Sequence, residues 1–273
     1  MKKGHSKPTG HFPLAIMLVT LTGLAQSTAF AQLPAEVAAL KPLMVVPERA
    51  VLEDDFSTSH PLDPEIWRVH QETRWAIEKG VLHGRPATSE FQASRADHNG
   101  LEPRISFPGT PREFAARFSF RFSGGEWITE YKPGRGLAPM IEFGHHICRL
   151  AQQPGGIQIR VENEALIVAE TQQLKLEPDR WYHVLAEWKG DEFVLQFANG
   201  HTLYARHEIF RRELKANTQG LWIGGPRLGE VELDNLSLWS IKPEVNPAWE
   251  QTRATLAPPQ AVSRRERKAG QKN

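Results

Sequence analysis

Phe114-Ala115-Ala116-Arg117-Phe118-Ser119-Phe120-Arg121-Phe122 is the stretch that decides the fold class. Phe114, Ala116, Phe118, Phe120 and Phe122 recur at every second position, with Arg117, Ser119 and Arg121 between them. A period of two is the repeat of a β-strand with one greasy face and one wet face. The same alternation appears at Tyr182, Val184, Ala186 and Trp188, set against Trp181, His183, Glu187 and Lys189. It appears again at Phe193, Leu195 and Phe197, and at Ile157, Ile159 and Val161. Turn signals separate these runs: Lys189-Gly190-Asp191 and Asn199-Gly200 each connect two of them. No amphipathic helical pattern of more than about ten residues competes. One-sided burial along many antiparallel strands predicts an all-β, two-sheet antiparallel β-sandwich of jelly-roll type.

Outward from this core, the chain divides into four parts. Lys2, Lys3 and Lys7 precede an apolar run from Phe12 to Leu24, and Ala29-Phe30-Ala31 follows. This is the order of a secretory signal peptide, so residues 1–31 are expected to be removed. The remaining chain is then expected to be secreted, or held in the periplasm or cell envelope, with no transmembrane segment. Residues 32–50 carry Pro34, Pro42 and Pro47 and read as a spacer. Residues 51–242 form the sandwich, and 243–273 read as a Pro-rich basic tail without fixed structure.

Charge narrows the partners. The formal net charge is +1, but residues 51–242 carry 22 Lys or Arg against 27 Asp or Glu. A mildly acidic domain has no nucleic-acid footprint. The tail residues Arg264, Arg265, Arg267, Lys268 and Lys272 are the one basic cluster, able to touch an anionic surface. Cys148 is the single cysteine, which excludes an intramolecular disulfide and Cys-rich zinc sites.

The order of several short motifs resembles the concanavalin A-like lectin/glucanase superfamily. They are Leu52-Glu53-Asp54-Asp55-Phe56, Ile66-Trp67-Arg68-Val69, Trp75 to Gly84, Arg180-Trp181-Tyr182-His183-Val184, Trp188-Lys189-Gly190-Asp191 and Asp234-Asn235-Leu236-Ser237-Leu238-Trp239. The likeness is greatest to exported laminin-G-like, family 16 glycosidase-like and 3-keto-disaccharide hydrolase-like domains. It implies a concanavalin A-like jelly roll over 51–242. It also implies a structural Ca²⁺ held by Asp234, with Asp55 or Glu53 as companion. The residues themselves support only proximity: first and last strands of a sandwich commonly lie side by side, which would bring Asp54 or Asp55 near Asp234. Asp54 and Asp55 also suit plain turn hydrogen bonds.

Three stretches carry candidate chemistry. Glu232-Leu233-Asp234 is the nearest match to the family 16 catalytic strand, but Leu236 and Ser237 stand where the third acid belongs. No family 16-type glucanase activity is therefore expected. The loop Gly124 to Gly136 carries Trp127 and Tyr131, aromatic rings suited to the C–H faces of a sugar. Ile141 to Leu150 reads as one strand, with Glu142, Gly144, His146 and Cys148 on one face and Phe143, His145, Ile147 and Arg149 on the other. On that reading His145 and His146 point oppositely and cannot share a metal. Trp127, Tyr131, Glu142, His146 and Arg149 are the expected glycan-contacting residues. The expected function is an exported, lectin-like carbohydrate-binding module with a polysaccharide or glycan ligand. The alternatives are a glycan-active hydrolase and a structural or adhesion domain of the envelope.

Overall fold

A computed structural model describes residues 33–97, 99–126, 140–153, 155–161, 165–213 and 220–263. The signal-peptide reading over 1–31, Trp127, Tyr131 and the tail residues 264–273 lie outside the described residues. The strands are β1 Val45–Asp54, β2 Arg68–Val69, β3 Arg74–Glu78, β4 Val81–Arg85, β5 Arg104–Phe107, β6 Phe114–Glu126, β7 Met140–Phe143 and β8 Arg149–Gln153. They continue with β9 Gly156–Val161, β10 Leu166–Thr171, β11 Tyr182–Lys189, β12 Glu192–Phe197, β13 Thr202–Arg206, β14 Leu221–Gly224, β15 Arg227–Val245 and β16 Val262–Ser263. The α-helices among the described residues are short: α1 Ala35–Ala39, α2 Ser89–Ala93 and α3 Trp249–Thr255.

Among the described residues the strands form two eight-stranded antiparallel sheets. The first runs β13-β12-β11-β6-β15-β4-β3, and β1 joins β15 on the edge it shares with β4. The second runs β16-β10-β9-β8-β7-β14-β5-β2. The alternation read at Phe114–Phe122 holds through β6, whose five inward residues all lie in the main core. The inward residues read for β9, β11 and β12 lie in the same cluster. Phe143 of the second sheet meets Phe114, Phe118 and Phe193 of the first at centroid distances of 6.2, 6.3 and 5.0 Å. This interdigitation of inner faces makes the molecule a β-sandwich.

The two flanks differ from the sequence reading. Residues 33–50 are not a spacer: α1 buries Val37, and β1 starts at Val45 and pairs with β15 from Val45↔Val245 to Asp54↔Leu236. Pro47 is accommodated by register shifts on either side of it, as proline within a sheet requires. Nor are residues 243–263 a loose tail. Trp249 of α3 is 1% exposed, packed with Met44, Val45, Ala115, Val194 and Tyr204, and Val262–Ser263 pairs with β10. Proline content hid these anchors, because a few large apolar side chains suffice to dock a short segment.

Docking of the termini also changes the outer face of the first sheet. Glu187, expected on the wet side of β11, is fully buried. Its Oε1 accepts from the Leu43 N–H at 2.9 Å, and its Oε2 from the N–H groups of Met44 and Val45, both at 2.8 Å. Burial pushes its carboxyl above the usual range, against the pull of those three hydrogen bonds.

Candidate functional site

The residues from Ile141 to Leu150 form a hairpin, not one strand. β7 ends at Phe143 and β8 begins at Arg149. Between them Gly144 and His146 take positive φ values of 88° and 64°. The turn is closed by the Ile147 N–H donating to the Gly144 carbonyl at 2.9 Å. This corrects the expected facing: Glu142 and Arg149 are cross-strand partners on one face, and His145 and His146 both turn toward Glu142. A one-residue alternation rule does not survive a tight turn, because the chain reverses within it. Cys148 is fully buried in the core, and burial raises its thiol well above the ordinary value.

Lateral register sets the row in which Glu142 stands. Across the second sheet Ser106 of β5 pairs with Trp222 of β14, Trp222 with Glu142, Glu142 with Arg149, and Arg149 with Arg160 of β9. Their neighbours Ile105, Ile223, Ile141, Leu150 and Ile159 lie in the core. The row therefore occupies the sheet's other face. It is polar yet buried: Ser106, Trp222, Glu142, Arg149 and Arg160 are between 1% and 7% exposed.

Glu142 is the centre of this row. Its Oε1 accepts from Arg149 Nε, and its Oε2 accepts from His145 Nδ1 at 2.6 Å. Burial alone would push its carboxyl up. The Arg149 guanidinium and the two imidazoles overcome that and hold it well below the usual carboxylate range. His146 Nδ1 accepts from Arg149 Nη2 at 3.2 Å. Burial is the main cause that pushes His146 down to about 4; His145, Arg149 and Arg104 reinforce it against the pull of Glu142. His70 is likewise pushed down to about 4, by burial first and then by Arg104, Arg68 and His145. Both are therefore neutral imidazoles at neutral pH.

Four rings form a column over this centre. His70 stacks on Trp222 at 4.3 Å, Trp222 on His145 at 4.3 Å, and His145 meets His146 at 3.7 Å. His70 is tied to Ser106 Oγ at 2.8 Å. Trp222 Nε1 is buried and has no acceptor among the described residues. The side chain of His146 is 38% exposed while that of Glu142 is 2% exposed, so the cluster opens on the His146 side.

The structure brings Glu142, His146 and Arg149, three of the expected glycan-contacting residues, into one cluster with His145, whereas the strand reading had set Arg149 and His145 on the opposite face. The sequence reading missed Trp222 and His70. Leu221-Trp222-Ile223 carried a signal, since alternation sets Trp222 opposite two core residues. For His70 there was none, because only the pairing of β2 with β5 brings its neighbourhood to Trp222.

Asp54, Asp55 and Asp234 lie at the other sheet. β1 and β15 do run side by side, with Asp54 opposite Leu236. Asp54 Oδ1 accepts from the Phe56 N–H at 2.7 Å and Asp55 Oδ1 from the Ser57 N–H at 3.0 Å, the turn bonds such residues favour. Asp234 precedes a bulge at which Asn235 adopts φ 53°. Burial pushes the Asp234 carboxyl up to about 6; the charges of Asp55 and Asp54 add to this against the bond from the Asn235 N–H. Glu232, the other acid of the Glu232-Leu233-Asp234 run, is bound by Arg121, with His83 Nδ1 3.4 Å away. A cleft of about 300 Å³ is lined by Glu36, Trp181, His183 and Asn199 among others. Its volume is at the low end for ligand sites, and its Glu36 side chain is 74% exposed.

No protein-family model matches the chain, and no curated protein sequence matches it. Solved structures match it at low identity. A carbohydrate-binding module from Bacillus subtilis is 12% identical, with 64% of this chain and 95% of that one covered and a TM-score of 0.38. A non-specific endo-β-1,3(4)-glucanase of family GH16 is 11% identical, with 77% and 100% covered and a TM-score of 0.43. A structure described with endo-acting O-glycanases of the human gut microbiota is 10% identical, with 71% and 100% covered and a TM-score of 0.46. The fold is a two-sheet jelly-roll sandwich. That statement rests on the sheet order and the shared core; likenesses this distant carry no activity or ligand across.

Proposed function

We propose that the chain is an exported glycan-binding module whose ligand site opens at His146, over the buried polar row around Glu142. One observation carries the reading: a column of four rings stands beside a buried, ionised carboxylate–guanidinium pair and a buried indole N–H without an acceptor among the described residues. Sugars present C–H faces and dense hydroxyls, so aromatic surface next to fixed donors and acceptors suits them. Hydrolysis is less well supported. Glycosidases generally need a pair of carboxylates, and the groups that act most on Glu142 are the Arg149 guanidinium and the imidazoles of His145 and His146.

A glycan array followed by calorimetry tests this proposal. Trp222→Phe keeps the stacked ring but removes the donor, and should weaken binding about tenfold, the worth of one hydrogen bond. Trp127→Ala and Tyr131→Ala probe the aromatic loop in the same assay. An array without hits, or affinity indifferent to both Trp222→Phe and His146→Ala, rejects the reading.

A calcium ion at Asp55 and Asp234 belongs to the same proposal, because carboxylate oxygens suit a hard cation and their mutual repulsion would be relieved by one. The sign for pH follows from the raised Asp234 pKa. Its contribution is present below the unfolded value near 4 and is lost as pH rises through about 6. Asp234→Asn should therefore raise the Tm at pH 7.5 and leave it unchanged at pH 4. Millimolar calcium should raise the Tm of the parent protein at pH 7.5 and not that of Asp234→Asn. Equal responses of the two proteins to calcium would remove the ion from this position.

A further inference from the structure

The structure assigns Glu142, His145 and His146 as a binding site for a borderline divalent metal ion, with zinc(II) as the reference case. One donor atom from each of the three lies within 4.8 Å of the others. His145 Nδ1 is 2.6 Å from Glu142 Oε2, and His146 Nδ1 is 3.6 Å from Glu142 Oε1. A tetrahedral zinc with bonds of about 2.0–2.2 Å spaces its ligand atoms roughly 3.4 Å apart. These two separations, to different oxygens of Glu142, lie either side of that spacing, and with one donor of each residue within 4.8 Å of the others, side-chain shifts of about an ångström would close the three on an ion.

Consecutive residues of an extended strand could not do this, since they point to opposite faces. The turn makes it possible: Gly144 and His146 both adopt positive φ, and the two imidazoles come to 3.7 Å. For a histidine that conformation costs about 1–2 kcal/mol, and such strain clusters at functional positions. The surroundings resemble the outer shell of a metal site. Arg149 Nε holds Glu142 Oε1, which leaves Oε2 to the ion, and Trp222 fixes the plane of His145 at 4.3 Å. Outer partners of this kind orient ligating side chains.

Two imidazoles and one carboxylate select zinc, nickel, copper or iron over calcium or magnesium. Three protein donors leave one position open, on the side where His146 is 38% exposed. An ion there would displace the proton that His145 Nδ1 donates to Glu142. The Arg149 charge opposes the ion, which places the expected affinity in the micromolar range and not below it. The assignment is independent of the glycan reading.

Full-length protein stripped of metal is titrated calorimetrically with zinc chloride, and cobalt(II) absorption reports the coordination number. His146→Asn keeps the left-handed backbone, which asparagine tolerates, and His145→Gln keeps a donor to Glu142. The expected result is one ion per chain with a dissociation constant below about 100 µM, weakened at least tenfold by each variant. Weaker binding by the parent protein overturns the assignment, as does unchanged affinity in the two variants while circular dichroism shows both folded. Glycan affinity measured in chelator separates the two proposals: if it is absent while zinc still binds, only the glycan reading fails.

Discussion

Replacing Glu142 by glutamine is expected to lower the unfolding free energy by about 3–5 kcal/mol, the usual loss when one member of a buried ion pair is removed. Arg149 is 1% exposed, and its guanidinium would keep its burial and lose the carboxylate charge that its Nε meets. His145 would lose the carboxylate it donates to. Urea denaturation measures this directly as a drop in midpoint. A double variant, Glu142→Gln with Arg149→Met, should recover part of the loss, because neither charge of the pair is then left buried without the other. The pH dependence has a definite sign. The folded pKa of Glu142 lies well below its ordinary value, so its stabilisation is present above about 4.5 and fades as pH falls toward the folded pKa. The gap between the parent protein and Glu142→Gln should therefore narrow in acid. A single variant within about 1 kcal/mol of the parent at pH 7 would show that Glu142 and Arg149 do not depend on each other.

Glu187→Ala is the second large effect, and it acts through the terminal segments. The carboxylate of Glu187 accepts the consecutive N–H groups of Leu43, Met44 and Val45, where the chain joins β15. Met44 and Val45 are almost wholly buried, so two of these donors would be left without water. Each orphaned buried donor costs about 1–3 kcal/mol, which puts the loss on the order of 3 kcal/mol or more against a domain stability of about 5–15. The first readout is a fall in Tm. The second is new proteolytic cleavage within residues 33–50, because the segment is released together with the packing of Trp249. Gln196→Ala removes one partner of the same carboxylate, at 3.2 Å, and should cost under about 1 kcal/mol. If Glu187→Ala behaves like Gln196→Ala, the carboxylate is not what seals the first strand to β11.

These two acids also mark where sequence reading succeeds and where it stops. Alternation placed Tyr182, Val184, Ala186 and Trp188 on one face of β11 and Glu187 on the other, and both statements hold. Alternation carries no information on what covers the other face. Residues 33–50 and 243–263 read as linkers because of their prolines, and their apolar residues have no period to argue otherwise, yet Val37, Met44 and Trp249 pack at 0–1% exposure. Aperiodic anchoring is invisible to a method built on repeats.

By itself the chain's pattern of polar and apolar residues determined the sandwich. Period-two runs and glycine turns are local, and burying one face of each run leaves little choice but two sheets face to face. The site was decided by tertiary structure alone. Glu142, Trp222, Ser106 and His70 come from strands or loops separated by tens of residues, and only the lateral register of β5, β14, β7 and β8 sets them in one row. His145 and His146 converge only because Gly144 and His146 turn through positive φ. Which residues face core or solvent follows from the backbone's own period. Which residues meet across strands follows from hydrogen-bond register and turn geometry, and these arise only when distant segments pair.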